Sequence, residues 1–159
     1  ARKRPDSEWW VALLSVLWDT GARVGEATAV EWGDLDLRRC WIVFRAETTK
    51  THVDRMAAIS RETADALAAL PRNLPPLRPR CDRQTLYNRF RAMLRAAGLP
   101  TDRRSMFHRI RRSFASHLEA AGGDATSALG HSSRRVTVAS YLDPSVCGGP
   151  APVTRLFRP

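Results

Sequence analysis

Lysine is almost missing from this chain: of 26 basic residues only Lys3 and Lys50 are lysines, and the rest are arginine. Long apolar runs are missing as well. The longest, Trp9 to Trp18, has ten residues, about half of the roughly 20 that a membrane-spanning helix needs, so it reads as a buried helix and no membrane association is expected. Cysteine is scarce, with Cys40, Cys81 and Cys147 odd in number and far apart. That pattern supplies neither a disulfide framework nor a metal-ligand spacing, and it fits a reducing, cytoplasmic setting. Residues 1–8, "ARKRPDSE", hold no initiator Met and no apolar signal core, so the chain is expected to be a piece of a longer protein.

What is present is basic and unevenly placed. The 159 residues carry a formal charge of +10, and the stretch from Arg72 to Arg112 holds twelve arginines against two acids, Asp82 and Asp102. The remaining charges balance, 14 basic against 14 acidic. A cationic surface confined to one segment is the footprint of a polyanionic partner, double-stranded DNA foremost, with a solvated arginine-rich surface as the plain alternative. A membrane surface fits less well, because these arginines do not line an amphipathic helix that also exposes Trp or Phe. With 43% apolar residues the chain can bury one sizeable core.

Periodicity predicts an α+β domain, mainly helical with a small antiparallel sheet. Trp10, Leu13, Leu14 and Leu17 place a helix over residues 8–19, and a second is expected from Val24 to Glu31 after the Thr20-Gly21 turn. Trp41 to Phe44 reads as a strand and Met56 to Ile59 as its returning partner, which puts Lys50 at or beside a hairpin tip. Ser60 is placed to cap a helix running to Leu70, and the Pro-rich residues 71–80 form a loop.

Two further helices carry chemistry on one face. From Asp82 to Ala97, Leu86, Phe90, Met93 and Ala97 are expected to face the core, with Gln84, Asn88, Arg91 and Arg95 opposite. Those polar types pair with base edges in the major groove, although any exposed helix face is polar. From Phe107 to Ala121, Ile110, Phe114, Leu118 and Ala121 form the expected buried stripe, with His117 inside it as a hydrogen-bonded core histidine. His108, Arg111 and Arg112 then turn outward, and His108 and Arg111, three residues apart, can grip one phosphate.

In order, the chain presents "TGARVGE", a strand-turn-strand containing "TKTHVDR", "HRIRRSFASHL", "LGHSS" and "VASYLDP". Five such elements in this order resemble the catalytic domain of the tyrosine recombinases, the phage integrase family, over nearly the whole chain. The resemblance implies an active site of Arg23, Lys50, His108, Arg111, His131 and Tyr141. "VEWGDLD", with Trp32 and Asp34 to Asp36, is also similar to the family's segment after the first arginine. The implied reaction is attack by the Tyr141 hydroxyl on a DNA phosphodiester, giving a 3′-phosphotyrosyl link and a free 5′-hydroxyl, without metal or ATP.

These residue types suit that chemistry. The five-coordinate phosphorus gathers charge on its non-bridging oxygens, which two guanidiniums, Arg23 and Arg111, can meet with paired donors. A phenol with a pKa of about 10 costs on the order of 4 kcal/mol to ionise near pH 7 unless helped, and His108 is the candidate helper, with His131 holding the phosphate. Lys50 is the candidate acid for the leaving oxygen, since an ammonium can release a proton and a guanidinium effectively cannot. Gln84, Asn88, Arg91, Arg95 and Arg112 are the candidate DNA contacts. Tyr87 reads as structural. In the tail, Val153, Leu156 and Phe157 are placed to pack on a neighbouring copy in a homo-oligomer, a tetramer on DNA.

Two features depart from the family's pattern. Arg112 stands where many relatives carry histidine. The interval from Arg111 to "LGH" is about three residues short, nearly one helical turn. If a helix absorbs that loss, His131 and Tyr141 sit back from Arg23 and Arg111, and the chain is an inactive DNA-binding relative. A type IB topoisomerase shares the chemistry and stays open as the nearest enzymatic alternative. A metal hydrolase using His108, His117 and His131 is disfavoured by the inward reading of His117. The N-terminal core-binding domain of the family is expected to be absent from residues 1–159.

Overall fold

The computed structural model of this chain describes residues 7–48, 53–102 and 106–147. Helix α1, Ser7–Thr20, is the central strut, burying Trp10, Ala12, Leu13, Val16 and Leu17. It stops where Gly21 takes a left-handed φ of +59° and donates its N–H to Leu17 O at 3.0 Å, a terminus that glycine adopts without Cβ strain. The short α2, Val24–Thr28, follows. It ends before the expected Glu31, because Val30 turns back to Ala27 O and the Asp34 carboxylate takes the Glu31 N–H at 2.9 Å, opening a 3-10 turn at Trp32–Asp34.

The expected α+β class is what the chain adopts. Strands β1 (Leu35–Asp36), β2 (Trp41–Phe44) and β3 (Arg55–Ala58) form one antiparallel sheet in that order, with Trp41 opposite Ala58 and Phe44 opposite Arg55. The returning strand starts one residue earlier than the apolar run suggests, and β1 was not legible at two residues. Helix α3, Arg61–Ala68, is capped by Ser60, whose oxygen accepts the Thr63 N–H. Asp19 at the end of α1 accepts from Ser60 N, Ser60 Oγ and Thr63 Oγ1 at 2.6–2.8 Å, tying the sheet exit to α1.

Helix α4, Arg83–Ala96, begins at Asp82, which accepts the Thr85 N–H. Its buried row is Leu86 and Phe90, flanked by half-buried Tyr87 and Leu94, while Met93 and Ala97 are exposed against expectation. The reason is placement: Phe90 stacks on Trp10 and Phe107 at 6.1 and 4.1 Å, which turns the adjacent row, with Met93, toward an open groove beside Val11. Tyr87 sits edge-on to Phe107 at 5.2 Å, as its structural reading requires.

Helix α5, Phe107–Ala120, departs most from its pattern. It packs on α1 on one side and, on the other, on α6 (Ala125–Ala128), α7 (Arg134–Tyr141) and α8 (Pro144–Cys147). Coverage from two sides buries Phe107, Arg111, Ala115 and Ser116 and leaves Ile110, Phe114 and Leu118 half-buried. His117 and Ala121 are exposed; His117 lies 6.0 Å from the exposed ring of Trp18 rather than in the core. Arg111 is correspondingly inward, not outward. A second small core of Ala115, Ala125, Leu129 and Tyr141 fills the space between α5 and the last helices.

A Cβ at position 21 would run into the Phe114 ring and come within 2.8 Å of Leu129. Adding the left-handed backbone cost, Gly21→Ala is expected to lose about 2 kcal/mol, and differential scanning calorimetry should show a Tm roughly 4–8 °C lower.

Candidate active site

Two glycine-stopped helix ends build this site. At the first, Arg23 caps α2; its NH1 donates to Glu26 Oε1 at 2.7 Å, and its backbone N–H donates to Glu26 Oε2 at 2.9 Å. At the second, Gly130 has a φ of +64° and donates to Ser127 O, while the His131 N–H reaches back to Thr126 O at 2.9 Å. This double return is the glycine-dependent stop that closes α6, and it fixes the direction in which His131 leaves the helix.

Arg111 joins the two ends. It is 1% exposed, with NH1 donating to Gly21 O at 2.6 Å and NH2 to Leu129 O at 2.9 Å and toward His131 Nε2 at 3.1 Å. Because a guanidinium only donates, Nε2 is the acceptor, and His131 Nδ1–H donates to the buried Thr137 Oγ1 at 2.9 Å. Tyr141, 8% exposed, packs its ring 4.5 Å from His131 and 5.1 Å from His108, with the Arg111 guanidinium 5.5 Å from the ring centre. The short interval before His131 therefore does not set His131 and Tyr141 back from Arg111.

Electrostatics follow from this packing. Burial, then Arg23, lowers Arg111 to about 10, still a cation at neutral pH. Burial, then Arg111 and Arg23, pushes His131 down to about 4, and partial burial followed by Arg111 and Arg112 also lowers His108. Both imidazoles are thus neutral near pH 7 and can accept protons. Arg23, Arg111 and Arg55 stand against the buried carboxylate of Glu26, leaving a net positive site suited to an anion.

A histidine held neutral by the fold binds fewer protons in the folded than in the unfolded chain below its ordinary pKa. Stability is therefore fully present above about pH 6.5 and is lost as pH falls from there through about 4. An NMR titration of the His131 Cε1–H signal should find its midpoint near 4. His131→Gln should flatten the dependence of Tm on pH across that window.

Sequence reasoning missed three residues here: Glu26, Arg55 and Thr137. Glu26 and Arg55 end two of the quoted motifs, but nothing in a linear pattern marks an acid at 3% exposure or an arginine side chain at 13% as paired. Lys50 lies outside the described residues, as does the tail with Val153, Leu156 and Phe157. Gln84, Asn88 and Arg95 are exposed on α4 and Arg91 is half-buried; Asn88 Oδ1 accepts from Gln84 and Arg91 at 3.1 and 3.2 Å. Arg112 is half-buried. Trp32 and Asp34 act locally, Trp32 Nε1 holding Leu74 O at 2.7 Å and Asp34 holding Arg45 at 2.6 Å. His117 is turned to Trp18, away from His108 and His131, and among the described residues no three His, Cys, Asp or Glu side chains converge on a metal position. No helix among them is long and apolar enough to cross a membrane.

Comparison with known proteins finds relatives of the chain and of its fold. The tyrosine recombinase XerC of Methylobacterium nodulans is 33% identical over 158 residues, covering 84% of this chain and 46% of XerC, so the chain spans about half of that relative. The crystal structure of XerA recombinase superposes with a TM-score of 0.71 at 27% identity, over 89% of this chain and 56% of XerA. The catalytic domain of bacteriophage HP1 integrase shares the fold, with a TM-score of 0.65 at 23% identity, over 98% of this chain and 88% of that domain. Residues 1–146 match the phage integrase family, and the chain belongs to it.

Proposed function

We propose that this chain is the catalytic domain of a site-specific DNA recombinase or integrase, which cleaves and rejoins double-stranded DNA through a 3′-phosphotyrosyl bond at Tyr141. The observation that carries this reading is the convergence of Arg111, His131 and Tyr141 at 3.1–5.5 Å from one another, beside Arg23 and His108. Arg23, His108 and Arg111 line a cleft of about 670 Å3, the space this reading assigns to the DNA backbone.

The Tyr141 Oη forms a bond to phosphorus as the P–O5′ bond breaks. The phosphodiester is exchanged rather than hydrolysed, so no ATP is called for, and attack by a 5′-hydroxyl reverses the step. Arg23 and Arg111 meet the charge that grows on the non-bridging oxygens. His108, neutral and next to the Tyr141 ring, receives the phenolic proton. The proton needed by the 5′-oxygen comes from Lys50. An incoming phosphate oxygen competes with His131 Nε2 for the Arg111 NH2 group, and the released imidazole can then donate to that oxygen once protonated. The exposed face of α4, with Gln84, Asn88, Arg91 and Arg95, lies in the DNA groove, with Arg112 on the backbone, and the C-terminal tail links copies in a tetramer.

The test is a nicked duplex, drawn from sequence flanking the gene, whose short 5′-hydroxyl fragment diffuses away after cleavage. The expected result is a protein–DNA adduct that survives SDS. Sequence-selective, salt-sensitive binding without any adduct would assign the chain to the DNA-binding relatives that have lost catalysis, and relaxation of supercoils without strand exchange would assign it to a type IB topoisomerase.

A further inference from the structure

Arg55 takes no part in the chemistry above, yet it lies deeper than Arg23, whose side chain is 28% exposed, and less deep than Arg111. Its side chain is 13% exposed, and its guanidinium lies 4.4 Å from the centre of the Phe44 ring. Its NH1 donates to Thr20 O at 3.1 Å and to Ala128 O at 2.8 Å, carbonyls 35 and 73 positions away. Arg111 makes the same kind of bridge one residue further along each segment, to Gly21 O and Leu129 O. Two guanidiniums in register therefore span the same gap, between the C-terminal end of α1 and that of α6.

Those two ends need something between them. The last carbonyls of a helix have no partner within it, and they carry the negative pole of its dipole. Here the carbonyls at the two ends share the same pair of guanidiniums, and at each end the glycine stop turns the chain away within two residues, toward Arg23 in one case and His131 in the other. Arg55 also stands 3.7 Å, through NH2, from Glu26 Oε2, the carboxylate that grips Arg23. That NH2 is buried and makes no hydrogen bond. Its Coulomb contact therefore acts on the Arg23–Glu26 pair without using up the acceptors of Glu26.

We infer that Arg55 is a positioning residue: with Arg111 it clamps the ends of α1 and α6 together and so sets the spacing of Arg23 and His131 across the phosphate site. Its polar partners are Thr20 O, Ala128 O and Glu26 rather than Tyr141 or His131, so it acts through the two backbone segments. It also sits on β3 directly opposite Phe44, the last pair before the β2–β3 connection, so the same side chain ties that end of the sheet to the site. A lysine cannot substitute: its stem is one bond shorter, and a single ammonium has no second nitrogen to hold near Glu26.

The inference rests on the proposed phosphate site, and its test is read first without DNA. In the protein as its gene encodes it, Arg55→Ala and Arg55→Lys are compared with the parent by NMR titration of His131 and by the affinity for inorganic phosphate seen at the same signal. The His131 midpoint is expected to rise from about 4 toward its ordinary 6.5 in both variants, because the cations and packing that depress it are no longer held in place. Phosphate should bind about tenfold more weakly. In the nicked-duplex assay the adduct should form roughly 100-fold more slowly, with DNA affinity within about threefold. Added guanidinium, at concentrations too low to denature, should restore adduct formation in Arg55→Ala by about tenfold and leave Arg55→Lys, whose side chain fills the space, unrescued.

If both variants keep the His131 midpoint and phosphate affinity within twofold of the parent, the inference is overturned. Should Arg55→Ala fail to fold, Arg55→Lys, which retains the charge and the stem on Phe44, carries the decision alone. A parent protein that binds phosphate at His131 but forms no adduct counts against the recombinase reading and leaves the clamp to be judged by the titration.

Discussion

Tyr141→Phe is expected to bind DNA as the parent does and to form no SDS-stable adduct. The substitution removes one oxygen and keeps the ring that packs between His108 and His131. The backbone anchor of this helix end is also kept, since Ser116 Oγ donates to Tyr141 O at 3.3 Å and accepts the Asp143 N–H at 2.8 Å. The change in stability should accordingly stay below about 1 kcal/mol. Loss of a nucleophile removes the covalent step altogether, a drop on the order of 10^4-fold or more that places the adduct below detection. An adduct that persists in the phenylalanine variant would move the nucleophile elsewhere and sink the assignment. Tyr87, the other tyrosine, is the control, because Tyr87→Phe retains the edge-on contact with Phe107 and should leave adduct formation intact.

Arg111→Lys should show two losses that can be measured separately. The first is stability. Gly21 O and Leu129 O, 90 and 18 positions away, each lose a buried donor, and one ammonium cannot serve both. With about 1–3 kcal/mol for each carbonyl left unpaired and partial recovery by the lysine, the net cost is about 2–4 kcal/mol, seen as a Tm roughly 5–15 °C lower. The second is catalysis. Replacing paired donors on the phosphate by a single point charge should slow adduct formation by about 10^2–10^3-fold, assayed at a temperature where the variant is folded. A variant that is destabilised as described but cleaves within tenfold of the parent would leave Arg111 as a strut and shift the clamp to Arg23.

Much of this site can be read from the chain. "TGAR" and "LGH" each carry a glycine where a helix has to stop, and both glycines do stop helices, at φ of +59° and +64°. Ser60 and Asp82 announce helix starts, and Trp41 to Phe44 a strand, since caps and β-branched or aromatic runs act through neighbours only a few residues away. Burial on α5 was not legible in the same way. Apolar spacing identifies one greasy stripe, but it does not say how many neighbours cover the helix. With α1 on one side and α6, α7 and α8 on the other, the covered arc widens past Ile110 and Phe114 to take in Arg111, while His117 is left outside beside Trp18.

The buried charges show why. A guanidinium can be enclosed only where acceptors already wait, and those waiting for Arg111 and Arg55 are backbone carbonyls from α1 and α6, which no residue pattern near positions 55 or 111 encodes. The depressed pKa of His131 arises in the same way, from burial and from cations brought in by other elements. Sequence alone determined the helix stops, the strand, the basic segment from Arg72 to Arg112 and the order of motifs that marks the family, because each depends on local backbone preference or on composition. Tertiary structure alone decided which arginines are enclosed, that His117 faces solvent and how Glu26 and Arg55 join the site, because desolvation and long-range hydrogen bonding come into being only when distant segments close on one another.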